Sequence, residues 1–162
     1  ASIFTLSSIA FTIIALIASA NMFAQDAADG RDLIFDNENL YTDEQEAEIG
    51  QILDEYQKTW GDREIVVVTT DKCAPFQTFA EYAQDLCNNW QPARAEDSNA
   101  LLLIISKKLG SVRIATGEGT TSLIENQKCH GIINFNMMPY LKKGQFFEAT
   151  KVGVTVLSKN WK

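Results

Sequence analysis

Apolar positions recur at helical spacing from Ile49 through Ile52, Leu53 and Tyr56 to Trp60, which predicts one amphipathic helix. Thr42 with Gln45 has the capping-box pattern, and Asp43, Glu44 and Glu46 place negative charge where the helix dipole favours it. Gly61-Asp62 ends the periodicity. Ile65-Val66-Val67-Val68 is a β-branched run with no polar alternation, the signature of a strand buried on both faces. Thr78 with Glu81 repeats the capping pattern ahead of Phe79, Tyr82, Ala83, Leu86 and Trp90, which share one face of a second helix. Ala100–Ile105, the turn Lys107-Lys108-Leu109-Gly110 and Ser111–Thr116 predict a β-hairpin. Two more helices follow, one from about Glu125 to Met138 closed by Pro139, the other from about Gln145 to Lys159 with Phe146, Phe147, Val154 and Leu157 facing inward. Ahead of all these, Asp32–Phe35 is extended and Asp36-Asn37-Glu38-Asn39 is rich in turn formers. The order helix, strand, helix, hairpin, helix, helix predicts an α/β sandwich with a small mixed sheet.

Composition limits how this pattern is packaged. At 162 residues and 46% hydrophobic, the chain supplies one sizeable core. Ala1 to Gln25 carries no charged residue, and the first cation is Arg31. Within it, Ile3–Ala20 has the character of a signal-peptide hydrophobic region, with Ala18 and Ala20 at cleavage spacing. Its alternative is a single membrane anchor, since such a run is marginally long enough to span a bilayer. The expected organisation is therefore residues 1–25 as signal peptide or anchor and residues 26–162 as one domain. The expected location is outside the cytoplasm, periplasmic or attached to the cell envelope.

A formal charge of −7 argues against a general affinity for nucleic acid, which needs clustered Lys and Arg. Cys73, Cys87 and Cys129 have no metal-binding spacing and are expected as free, buried thiols. If the hairpin turn has four residues, Ser106 faces Ser111, Ala100 faces Gly117 and Asp97 faces Thr120. Asp97, Asn99 and Glu118 then converge at one end of the sheet, with Asn126 opening the next helix. Such oxygen donors suit Ca²⁺ or Mg²⁺ and do not suit Zn²⁺, since the chain has one His. Gly117–Ser122 has the look of a dinucleotide loop, but two helices finish the chain where a Rossmann unit needs another parallel strand. Cys129 and His130 are adjacent, so on a helix they diverge and make no catalytic pair.

Several segments, in order, resemble the TPM domain family. They are Ile34-Phe35-Asp36, Asn39-Leu40-Tyr41-Thr42, Ile65–Thr69, Asp97–Ile104, Val112–Gly119, Ile132-Ile133, Pro139 and Lys143–Phe147. The resemblance implies a three-layer α/β/α sandwich on the extracytoplasmic side of a membrane, with acidic residues gathered at one end. It also implies divalent-cation binding, as in some members, and an acid-phosphatase activity proposed for the plant lumenal branch. The chain departs from the pattern where the family commonly has Gly-Tyr-Gly-Leu-Glu and then Asp: here stand Gly117-Glu118-Gly119-Thr120-Thr121 and then Asn126.

The expectation is thus an extracytoplasmic module that binds Ca²⁺ or Mg²⁺ weakly through Asp36, Asp97, Asn99, Glu118 and Asn126, and that associates with membrane or envelope protein partners. The alternative is a metal-assisted phosphomonoesterase in which the same carboxylates hold a cation that polarises phosphate.

Overall fold

The computed structural model describes residues 33–90, 99–117 and 124–162. The export or anchor segment, Asp97 and Glu118 lie outside the described residues.

The elements are β1 (Ile34–Asp36), α1 (Asp43–Trp60), β2 (Arg63–Thr69), α2 (Phe79–Asn88), β3 (Asn99–Ser106), β4 (Ser111–Thr116), α3 (Asn126–Gly131), α4 (Met138–Leu141) and α5 (Phe146–Asn160). A π-helical stretch, Ile132–Met137, joins α3 to α4 without a break. The four strands lie in the order β1-β2-β3-β4, the first three parallel and the last antiparallel. The sheet is therefore mixed, as the order of elements predicts.

Strand alternation sorts the side chains onto two faces. Ile34 pairs with Val67, and Val67 with Leu103, so these share one face, and a Cβ on Gly50 of α1 would meet Ile34 at 3.9 Å. Phe35, Val68 and Ile104 occupy the other face, where Phe35 makes an edge contact with Trp90, just beyond α2. α5 packs beside α1 and the π-helical stretch, so α1 and the C-terminal helices cover one face and α2 the other. The three-layer α/β/α sandwich follows. Its central strands are fully covered: Ile65, Val66, Val67 and Leu101 to Ile104 have no exposed surface. Each such side chain contributes about 1.5–3 kcal/mol of burial.

Both predicted capping boxes are present. Thr42 Oγ1 accepts from the Gln45 amide and Gln45 Oε1 from the Thr42 amide; Thr78 and Glu81 make the same exchange. Gly61, at φ 61°, closes α1 in a conformation that costs other residues energy. The hairpin register is Ser106 opposite Ser111 and Leu101 opposite Thr116, as a four-residue turn requires.

Pro139 does not close its helix. The Met138 amide reaches back to Ile133 O, five residues away, and the chain continues helically to Leu141. Pro139 stands in the first turn of α4, where a missing N–H costs little, and the widened turn before it absorbs the irregularity. The thiols also divide: Cys87 and Cys129 are buried, whereas Cys73 is half-buried, its Sγ donating to Phe76 O at 3.7 Å.

Candidate functional site

The C-terminal ends of the parallel strands carry a network built on Asp36, the last residue of β1. Its Oδ1 accepts from the Thr69 hydroxyl at 2.5 Å and its Oδ2 from the Tyr41 amide at 2.9 Å. Register places Asp36 beside Thr69, so the pairing follows directly from β1 lying along β2. Thr69 Oγ1 also accepts from the Glu38 amide at 3.0 Å, and Asn37 donates its side-chain amide to Thr69 O at 2.9 Å. Glu38 reaches further. Its two carboxylate oxygens accept from the backbone amides of Lys107 (2.8 Å) and Lys108 (3.0 Å) in the hairpin turn. Asp71 pairs with the Lys108 ammonium at 3.1 Å, which holds its carboxyl below the usual range.

The carboxylates of Asp36 and Glu38 fasten the β1–α1 loop to the ends of β2 and β3. The sequence shows only turn formers at residues 36–39; the part played by Glu38 depends on β1 lying beside β2, two strands from the hairpin turn.

The opposite end of the sheet has different chemistry. Asn99 opens β3 opposite Arg63. The Arg63 guanidinium lies over the Trp60 ring at 4.9 Å and the Trp161 ring at 5.8 Å, with Asp62 at 4.0 Å. Tyr56 donates its hydroxyl to Trp161 O at 2.7 Å and stacks on the same indole, and burial pushes its phenol up to about 12. On the other face, Trp90 donates its indole N–H to Glu64 at 3.2 Å.

Asp36 and Asn99 therefore do not belong to one centre. Asp36 pairs with Thr69, which pairs with Ile105, six residues along β3 from Asn99. That is about 20 Å at strand rise. Asn126 is on the Asn99 side. α5 starts beside Lys107, whose ammonium lies over Phe146 at 5.8 Å, and the chain ends at Trp161 beside Arg63. The helix from Asn126 runs towards the turn before α5, hence from the Arg63 end. Asp97 and Glu118 stand two residues before Asn99 and one after Gly117 in sequence, and both lie outside the described residues. Gly117 N donates to Ala100 O at 3.4 Å, so the predicted pairing holds up to that point. Among the described residues no three His, Cys, Asp or Glu side chains gather in a way that could hold a metal ion.

Depressions formed by described residues lie beside the sheet. A groove of about 590 Å³ between β1 and α1 has Ile34 and Ala47 in its lining with Asp43, Asp54, Glu55 and Lys58. A hollow of about 350 Å³ is bounded by Asn39, Gln45, Lys107, Gly144 and the first residues of α5. His130 is exposed and Cys129 buried, so the adjacent pair diverges as helix geometry requires. Desolvation pushes the Cys87 thiol up to about 11 and raises that of Cys129, which leaves both as packing groups.

Residues 34–160 match the profile of the TPM domain. Three solved structures share the fold. The N-terminal domain of a P. gingivalis protein is 21% identical, covers 82% of this chain and 83% of its own, and has a TM-score of 0.65. The N-terminal domain of the cg2496 protein from Corynebacterium glutamicum is 12% identical, with coverages of 82% and 81% and a TM-score of 0.59. The BA42 protein of Bizionia argentinensis is 18% identical, with coverages of 75% and 85% and a TM-score of 0.59. No curated protein matches the chain.

Proposed function

Since the chain belongs to the TPM domain family, we propose that it is an extracytoplasmic binding module that takes Ca²⁺ or Mg²⁺ weakly and acts by associating with a membrane or an envelope protein. The observation that carries this reading is the separation of Asp36 from Asn99 along the sheet. With Asp36 engaged at the far end, the donors left to share one cation are the carboxylates of Asp97 and Glu118 and the side-chain oxygens of Asn99 and Asn126. Two charges and two amides form an oxygen-donor set that suits a hard cation, and affinity falls as ligand charge is reduced. The bound cation would supply positive charge to bridge an acidic face to an anionic partner. Catalysis of phosphate transfer asks more, because several carboxylates or a second metal must converge on phosphate and water. The charge-free stretch Ala1 to Gln25 supports placement outside the cytoplasm.

Titration with Ca²⁺ and then Mg²⁺, followed by amide NMR, tests the reading. Shifts are expected at Asp97, Asn99, Glu118 and Asn126, with Asp36 unmoved. Silence at both Asp97 and Glu118 would sink the assignment. Hydrolysis of a phosphomonoester on the same sample, abolished by Asp97→Ala, would replace it with the enzymatic reading.

A further inference from the structure

Phe135 is 82% exposed, an unusual position for a phenyl ring on a packed helix. The cause lies in the π-helical stretch. Ile132, Ile133 and Met137 all turn inward and are buried, leaving Phe135 on the far side with no core residue to meet. Its ring lies back along the helix near Gly131, where an added Cβ would be 3.9 Å from Cδ2. Along the same outer surface stand Lys128 before it and Pro139, Lys142 and Lys143 after it, all exposed. Between Ile124 and Gln145 there are three lysines and one acidic residue, Glu125, a local balance of +2 in a chain of −7.

We propose that this stripe, Lys128, Phe135, Pro139, Lys142 and Lys143, is where the domain rests on an anionic lipid surface. The inference deepens the reading of the domain as an association module. Charge decides the occupant: this is a locally basic stretch on an acidic protein, and it carries the most exposed aromatic ring among the described residues. Phe135 enters the headgroup boundary while the lysine stems lie along it with their ammonium groups at the phosphates. None of the five residues lines either depression described above, so the stripe offers no pocket for a partner's side chains, whereas a lipid interface moulds to it. A lone weak contact of this kind is reversible; stable attachment takes a second signal, and the apolar run Ile3–Ala20 of the same chain is of the kind that supplies one.

The test uses the full chain in vesicles of brominated phosphatidylglycerol and phosphatidylcholine, with Phe135→Trp compared with Leu109→Trp. Leu109, 43% exposed in the hairpin turn, is a control outside the stripe. Trp60, Trp90 and Trp161 form a constant background. Quenching above that background is expected at position 135 and not at 109. It should weaken with salt, and each lysine removed should lower the ratio of docked to free domain about fivefold. Lys142→Glu with Lys143→Glu should abolish it. Equal quenching at both positions, none at 135, or the same signal in pure phosphatidylcholine would overturn the proposal. So would quenching that follows protein density rather than lipid charge, which assigns the face to a second copy of the chain. Circular dichroism checks that each variant is folded. The cation titration uses different residues, so its failure beside intact quenching defeats only the cation reading.

Discussion

Arg63 is held between two indoles, over Trp60 at 4.9 Å and Trp161 at 5.8 Å, and its Nε and Nη1 are buried with no hydrogen-bond acceptor. The two ring faces compensate its charge together with the Asp62 carboxylate, 4.0 Å from Nε. This suits the planar, weakly hydrated guanidinium and not the compact ammonium of lysine. Arg63→Lys should therefore destabilise the domain by about 1 kcal/mol more than Arg63→Met, which fills similar volume without a charge to desolvate. Urea unfolding of the two variants side by side measures the difference; Lys as the milder change would refute the account.

Asp36 serves the fold, and its removal separates structure from cation binding. In Asp36→Asn, one of the two donors, the Thr69 hydroxyl or the Tyr41 amide, loses its acceptor. A loss of about 1–3 kcal/mol is expected. The affinity for Ca²⁺ should not change, and a calorimetric titration showing a tenfold drop would return Asp36 to the cation site.

Alkaline pH should weaken the native state. The folded Tyr56 phenol is pushed up to about 12 from 10.0 and the Cys87 thiol to about 11 from 9.0, both by desolvation. Each folded value exceeds its unfolded one, so the stabilisation is complete below the unfolded value and fades as pH rises through the folded value. Stability should be level up to about pH 8.5 and then fall by about 2 kcal/mol or more towards pH 11. Urea midpoints across that range measure the slope. Cys87→Ala should reduce the earlier part of the fall, to which the raised Cys129 thiol also contributes, and an unchanged profile would refute the assignment.

Gly153 fixes how closely α5 approaches the π-helical stretch. A Cβ there would sit 2.8 Å from Met137 Sδ, and Met137 is fully buried. Gly153→Val should cost about 2–3 kcal/mol through overpacking. Pairing it with Met137→Ala should recover a measurable part of that loss in a double-mutant cycle. Strict additivity would show that the two residues are not in contact.

Local signals in the sequence translated directly into structure. Thr42–Gln45 and Thr78–Glu81 became helix starts because a cap is decided within four residues, and the hairpin register followed from the length of its turn. Relations decided by strand order were hidden. Asp36 and Asn99 look compatible as ligands until β1 is known to lie parallel to β2, which puts their strand ends apart. The continuation past Pro139 was equally invisible, since the widened turn that permits it depends on Ile132, Ile133 and Met137 all finding places in the core. Arg63 and Phe135 gave no motif at all, and only burial sets them apart.

The reach of Glu38 to the hairpin turn has a consequence for the order of assembly. Its two hydrogen bonds span 69 and 70 residues of chain. Strand β1 has only three residues with which to hold itself on the sheet. Until β3 and β4 have folded back on each other, the acceptors on Glu38 have nothing to bind, and closing a loop of that length is costly. The tie from β1 to the hairpin therefore forms only once β3 and β4 have paired, whereas the pairing of β1 with β2 and the Asp36–Thr69 bond need neither of those strands.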